Sequence, residues 1–359
     1  MTQQYAGIQL LRFVAAMLVV VMHTSQAISI HITGQGRDQY WHDGAAGVDI
    51  FFVISGFVMT VSTRAMTGGG PSRRRAAWIF IQRRLLRIAP LYWFYTLLKV
   101  ALLLAVPGLA VTSSIDALHL ATSLSFFPSV SPWGMVQPVL PVGWTLNFEM
   151  LFYTVFAIAM ALGAPRGRFC LLIFLLIFLC AHLFPQDRTL VFYGQAIVFE
   201  FILGVVIATI LLRYPAPPAV FAALSILTGI VFIFGVDWPV DVDRFINWGL
   251  GAAAIVMGML WLEPKIVNTR FAPQFSIAGD ASYSIYLSHT FVVPAGVLVL
   301  RSIGVHNNTA VIFLVCGAVV ATGFASYRWL EKPMTSYLKR MLFRAPPRTD
   351  RNDGNIHAN

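Results

Sequence analysis

LLRFVAAMLVVVMH, residues 10–23, decides how the chain has to be read. The ten residues between Arg12 and His23 carry no charge and no strong hydrogen-bonding side chain, and with their flanks they extend to an apolar segment of membrane-span length, residues 9–31. A charged side chain at the centre of a membrane helix costs roughly 2.5–3.5 kcal/mol on insertion scales, so an ionisable residue in such a run is a functional candidate by default. Eleven residues make about three helical turns, which places Arg12 and His23 on one face, about 16 Å apart along the axis. Ser25-Gln26-Ala27 imitates a signal-peptide cleavage site, but no basic region precedes Arg12 and many further spans follow. The segment therefore reads as a retained helix.

The rest of the chain agrees. Of 359 residues 58% are hydrophobic and 11% charged, less than half the charge density of a soluble domain. Ten spans are expected, at 9–31, 45–63, 91–107, 146–163, 169–184, 191–212, 218–235, 245–262, 282–300 and 309–330. They imply an all-α, polytopic membrane helix bundle occupying residues 1–333, with a basic, disordered tail over 334–359. Arg64, Arg73, Arg74, Arg75, Arg83, Arg84 and Arg87 crowd residues 64–90, whereas residues 108–145 contain no Lys or Arg. The positive-inside bias then puts the arginine segment and both termini in the cytoplasm. The net charge of +10 is explained by that bias and by anionic lipid, so no nucleic-acid partner is implied. GGGPS at 68–72 reads as a hinge into an interfacial helix, residues 73–87, that Pro90 ends before the third span. Cys170, Cys180 and Cys316 lie in apolar runs without metal-site or disulfide spacing and read as packing residues, so no metal site is expected.

Polar residues recur inside other spans. GVDIFFVISGF (47–57) brings Asp49 near an outer end, close enough to be solvated, and Ser55 to mid-span. RRLLRIAPLYW (83–93) sets Arg84 and Arg87 one turn apart. GWTLNFEMLFY (143–153) carries Trp144, Asn147 and Glu149, and ASYSIYLSHTF (281–291) carries Tyr286 and His289. Glu200 lies inside the sixth span and reads as a structural pair partner; Glu331 ends the tenth. Taken singly, each has an ordinary reading: Arg12 snorkels to the interface, a histidine is an interhelical hydrogen-bond partner, and Arg84 and Arg87 are positive-inside residues.

Taken together, these blocks resemble acyltransferase family 3, integral-membrane acyltransferases that modify cell-surface and secreted glycans. The resemblance rests on Arg12 with His23, on Gly47 to Met59, on Arg84, Arg87, Ile88, Pro90 and Tyr92, on Trp144, Thr145, Leu146 and Glu149, on Ser282 to His289, and on Glu331-Lys332-Pro333. The blocks follow the family order over nearly the whole chain. Gly143 and Thr145 depart from the serines the family often carries there, and Asn147 replaces another small polar residue. GWTLNFE is similar to the exopolysaccharide acetyltransferase branch, and the chain reads as a stand-alone member without an appended esterase domain.

The resemblance implies O-acyl transfer, most often of acetyl, from cytoplasmic acetyl-CoA (a donor substrate, with no resident cofactor) to a hydroxyl of a polysaccharide or lipid-linked glycan at a bacterial inner membrane. His23 would be the general base, since a neutral imidazole suits proton removal near pH 7. Arg12, which cannot lose its proton, would hold donor phosphates or developing charge. Arg84 and Arg87 would contact the CoA phosphates. Glu149 would orient His23 or a sugar hydroxyl, and His289 would be a polar wall or proton relay. Asp49, Ser55, Trp144, Asn147 and Tyr286 are the remaining candidates for the acceptor's surroundings. Direct transfer is favoured because no cysteine is placed as a nucleophile, with an acyl-serine at Ser55 or an acyl-histidine left open. The competing readings are a proton-coupled carrier or flippase using His23, Glu149 and His289, and a cytochrome ligated by His23 and His289.

Overall fold

The computed structural model describes residues 5–34, 41–67, 72–106, 116–132, 134–236 and 243–343. Among them nine helices are long and apolar enough to cross a membrane, and a shorter apolar helix, Ala219–Phe234, brings the total to the ten expected. The described residues contain no β-strand, only an isolated bridge between Val130 and Val136. The fold is an all-α polytopic bundle.

Helix α1 (Ala6–Ile28) is its centre, packing on α2 (Ala46–Thr63), α10 (Leu250–Ile266), α11 (Ala272–Ser302) and α12 (Asn308–Ser326). A helix start leaves backbone N–H groups without partners. Here Glu263 of α10 takes two of them, its carboxylate lying 2.6 Å from Ala6 N and 2.9 Å from Gly7 N. Helix α2 crosses α8 (Glu200–Arg213) where Gly56 faces Gly204. A Cβ on Gly56 would run into the Phe201 carbonyl, and one on Gly204 into the Val53 carbonyl. In lipid such small residues let two backbones close on each other, where van der Waals packing replaces the hydrophobic effect. Phe52, Phe201 and Phe152 stack above the crossing, with centroids 4.4 and 4.5 Å apart, and tie α2 and α8 to α5 (Trp144–Leu162). Helix α6 (Arg166–Leu183) turns Leu172, Leu175, Leu176, Leu179 and Leu183 outward, a stripe that suits lipid and not water.

Three expectations about the elements are corrected. The interfacial helix 73–87 and the span 91–107 are one helix, α3 (Arg73–Ala105), which runs through Pro90. A proline deletes a single N–H, here the one that would bond the Leu86 carbonyl, and a packed bundle tolerates that loss; two residues before Pro90, Tyr283 of α11 ties α3 to its neighbour by donating to the Ile88 carbonyl at 2.8 Å. The span expected over 191–212 is interrupted: α7 (Arg188–Tyr193) ends at Gly194, which packs on Ala181 of α6, and the spanning helix is Ala196–Arg213. The tail expected to be disordered from 334 is helical as far as Leu342 in α13 (Lys332–Leu342), so that expectation fails for its first part. Residues 344–359, and 68–71 of the expected hinge, lie outside the described residues.

The remaining helices complete the wall. Helix α9 (Ala219–Phe234) packs on α10, and α4 (Ala117–Leu124) lies in the segment between α3 and α5. Asp116 caps α4 through the His119 N–H. Trp93 and Tyr92 of α3 hold α4 by donating to the carbonyls of Leu124 and Ser123.

Candidate active site

Five helices enclose a cavity of about 150 Å³. Arg12 enters it from α1, Ser55 from α2, Arg84 and Arg87 from α3, Thr145, Glu149 and Tyr153 from α5, and Tyr283 and Tyr286 from α11. Thr145, Glu149 and Tyr153 come together because they are spaced by four along one helix face. Ser55 is held by the adjacent Gly56–Gly204 crossing, and its hydroxyl lies 3.2 Å from that of Tyr153. The cavity therefore gathers three guanidinium groups around one carboxylate.

The three arginines are not equivalent. Arg87 is engaged by protein: Nη1 lies 2.6 Å from Glu331 Oε1, and Nη2 donates to the Asp280 carbonyl at 3.5 Å. Glu331 in turn accepts from Ser284 at 2.7 Å. Arg12 donates to Gln9 Oε1 at 3.1 Å, and Gln9 donates to Asp280. Arg84 lies over the Phe80 ring, and its buried Nε finds no hydrogen-bond partner among the described residues. A buried guanidinium N–H left in that state is a ready donor for an anion.

Tyr286 closes the cavity on one side. Its hydroxyl donates to the Val142 carbonyl at 3.1 Å, and the Thr145 hydroxyl lies 3.1 Å away. Beyond it lies a histidine pair outside the cavity lining. The His23 and His289 rings stack with centroids 5.1 Å apart and planes at 25°, and His289 packs on Tyr286 at 5.7 Å. Arg12 and His23 thus share a face of α1, as their spacing requires, but serve different compartments. Glu149 is found with the arginines and not beside His23. Nor do the histidines suit a haem iron, which takes ring nitrogens as axial ligands, whereas these rings lie face on face.

Asp49, expected to be solvated, has no exposed surface. Arg244 grips it with Nε at 3.1 Å and Nη2 at 2.6 Å, donates also to the Ala45 carbonyl, and lies over the rings of Trp248 and Trp144. Trp144 and Asn147 are accordingly outside the cavity; both amide atoms of Asn147 are buried without a partner among the described residues. Glu200, expected to be a pair partner, is fully buried with its carboxyl against that of Asp49. Sequence reasoning missed Tyr153, Tyr283, Asp280 and the role of Arg244. Tyr153 alone left a signal, four residues after Glu149 on the same face. The described residues contain no group of three or more side chains placed to hold a metal.

Residues 5–328 match the protein family described as an acyltransferase domain. The exopolysaccharide production protein ExoZ of Rhizobium meliloti (strain 1021) is 37% identical over 303 residues, covering 81% of this chain and 89% of that protein. No solved structure matches.

Proposed function

The chain belongs to acyltransferase family 3 and is a multi-pass membrane acyltransferase; from that premise we propose that it moves an acetyl group from cytoplasmic acetyl-CoA to a hydroxyl of an exopolysaccharide or its lipid-linked precursor, at a bacterial inner membrane. The polysaccharide comes from the part its relative ExoZ has in exopolysaccharide production, and acetyl from the branch that GWTLNFE is similar to. The single observation that supports a polyanionic donor is the cavity of Arg12, Arg84, Arg87 and Glu149 with its unpartnered Arg84 Nε.

Ligand pockets for drug-sized molecules run to about 300–1,000 Å³. A cavity of about 150 Å³ takes only part of the donor, the phosphate groups that meet the arginines, with the rest of the molecule outside it. Arg84, backed by Arg12, holds donor phosphate oxygens, while Glu331 keeps Arg87 in place as part of the wall. The acceptor oxygen bonds to the thioester carbon as the C–S bond breaks, and the thiolate leaves. His23 takes the hydroxyl proton, so the transfer occurs where Tyr286 divides the arginine cavity from the histidines. Direct transfer needs no protein nucleophile.

The test is transfer of label from acetyl-CoA into polysaccharide in membrane vesicles, wild type beside His23→Ala. Label entering glycan with the wild type alone, both proteins being equally folded, is the expected result. Transfer at the wild-type rate by His23→Ala removes His23 as base, and label crossing the vesicle membrane with no acetyl-CoA consumed replaces the enzyme with a carrier.

A further inference from the structure

His289 is the more enclosed member of the histidine pair, 1% exposed. Its Nδ1 lies 2.6 Å from the Tyr286 carbonyl oxygen, one turn earlier on α11. A carbonyl oxygen can only accept, so Nδ1 carries the hydrogen and Nε2 of the neutral ring is a lone-pair acceptor. That Nε2 is buried and has no hydrogen-bond partner among the described residues. Buried acceptors are nearly always paired, so this one calls for a donor from outside the protein or from water. His23 repeats the pattern on α1: its Nδ1 faces Gln26 Oε1 at 3.4 Å, again an acceptor, which makes its Nε2 an acceptor as well. Each ring is thus tied at Nδ1 to its own helix, and the stack offers two Nε2 acceptors from rings 5.1 Å apart.

We propose that this pair seats a vicinal diol of the acceptor glycan, one hydroxyl at each Nε2. The inference rests on the acyl-transfer reading above and narrows its substrate class. The reacting hydroxyl gives its proton to His23 as its oxygen bonds to the acyl carbon and the C–S bond breaks. The neighbouring hydroxyl donates a hydrogen bond to His289 Nε2, and His289 gains no proton in the step. His289 is therefore a specificity residue: it selects a sugar whose reacting hydroxyl has a free neighbour, and holds that sugar in one orientation. Sites built to hydrogen-bond a substrate hydroxyl discriminate strongly against the analogue that lacks it, because their own polar group is left unpaired.

The experiment uses the full chain in vesicles with labelled acetyl-CoA. The acceptors are methyl glucoside, methyl galactoside and methyl mannoside, each beside its single-deoxy derivatives. In the wild type, removing the hydroxyl next to the acetylated one should lower kcat/KM at least about tenfold, the scale of one buried hydrogen bond. His289→Asn keeps an amide N–H for the Tyr286 carbonyl but brings no second acceptor into the Nε2 position. In this variant the parent and deoxy sugars should react at the same reduced rate, so that the two losses do not add. Equal wild-type rates for a glycoside and its neighbour-deoxy derivative overturn the proposal. A second readout does not depend on turnover: the ¹⁵N resonance of His289 Nε2 should move when the parent glycoside is added without donor. If it moves while neither a glycoside nor the polysaccharide is ever acetylated, the diol seat stands and the acyl-transfer reading falls. If it does not move, the seat is overturned.

Discussion

Glu331→Gln separates the two duties that Arg87 can have. Glu331 ends the π-helical turn Tyr327–Glu331 after α12, and its side chain is 1% exposed against 30% for Arg87. One carboxylate oxygen takes Arg87 Nη1 at 2.6 Å, the other Ser284 Oγ at 2.7 Å. Glutamine keeps the shape, can turn its oxygen to Arg87 and its amide to Ser284, and removes the charge. Breaking a fully buried ion pair costs about 3–5 kcal/mol, and breaking an exposed one at most about 1 kcal/mol. With one partner enclosed and the other a third open to solvent, the expected loss is about 2 kcal/mol, a roughly thirty-fold fall in the folded-to-unfolded ratio. Denaturant unfolding of the purified protein in detergent should give similar losses for Glu331→Gln and Arg87→Gln, and a double variant no worse than either alone. If both single variants are as stable as wild type while Arg87→Gln alone raises the donor KM tenfold or more, the reasoning is refuted and Arg87 belongs on the donor phosphates.

Three further perturbations test the packing of the helices. Gly56→Ala should destabilise by about 3 kcal/mol, because its Cβ meets the Phe201 backbone and not a movable side chain; Gly317→Ala, with open space around it, should gain up to about 1 kcal/mol from helix propensity, both read from the same unfolding curves. Burial holds the His119 imidazole below its ordinary pKa, with Asp116 partly opposing, so the unfolded segment binds more protons as pH falls below about 6.5 and local stability drops there. Hydrogen exchange over 117–124, corrected for intrinsic rate, should show α4 opening more at pH 5.5 than at pH 7.5 in the wild type, and a pH-independent opening in His119→Gln.

What the sequence made legible was periodic or local. Span count, helix class and the shared face of Arg12 and His23 follow from runs of apolar residues and from 3.6 residues per turn. The same local logic failed at Pro90 and at Gly194. A proline often ends a helix in water, but in a bundle packing against neighbouring helices decides, and the neighbour that holds α3 here, Tyr283 on the Ile88 carbonyl, is 195 residues further along the chain. A glycine inside an apolar run is silent until its contact, here Ala181, is known. The motif blocks brought Arg12, Ser55, Arg84, Arg87, Glu149 and Tyr286 to one cavity, which motif order alone did not require. They did not reveal that Asp49 is held by Arg244, 195 residues on, or that Arg87 is held by Glu331, 244 residues on.

Those long-range pairings follow one rule. Charge inside a membrane bundle persists where an opposite charge or a full set of hydrogen bonds compensates it. Glu331 and the Asp280 carbonyl satisfy Arg87, and Asp49 satisfies Arg244. Among the polar atoms without a partner in the described residues, two lie in or beside the candidate site: Arg84 Nε in the cavity and His289 Nε2 beyond Tyr286. One is a donor and the other an acceptor. A reaction joining an anionic donor to a hydroxyl-bearing acceptor needs one of each, on either side of the transferred group. Tyr286, pinned by Val142 and Thr145, stands between them. On the proposed reading its ring is the part of the wall that both substrates approach, and a change there should disturb the use of donor and acceptor together.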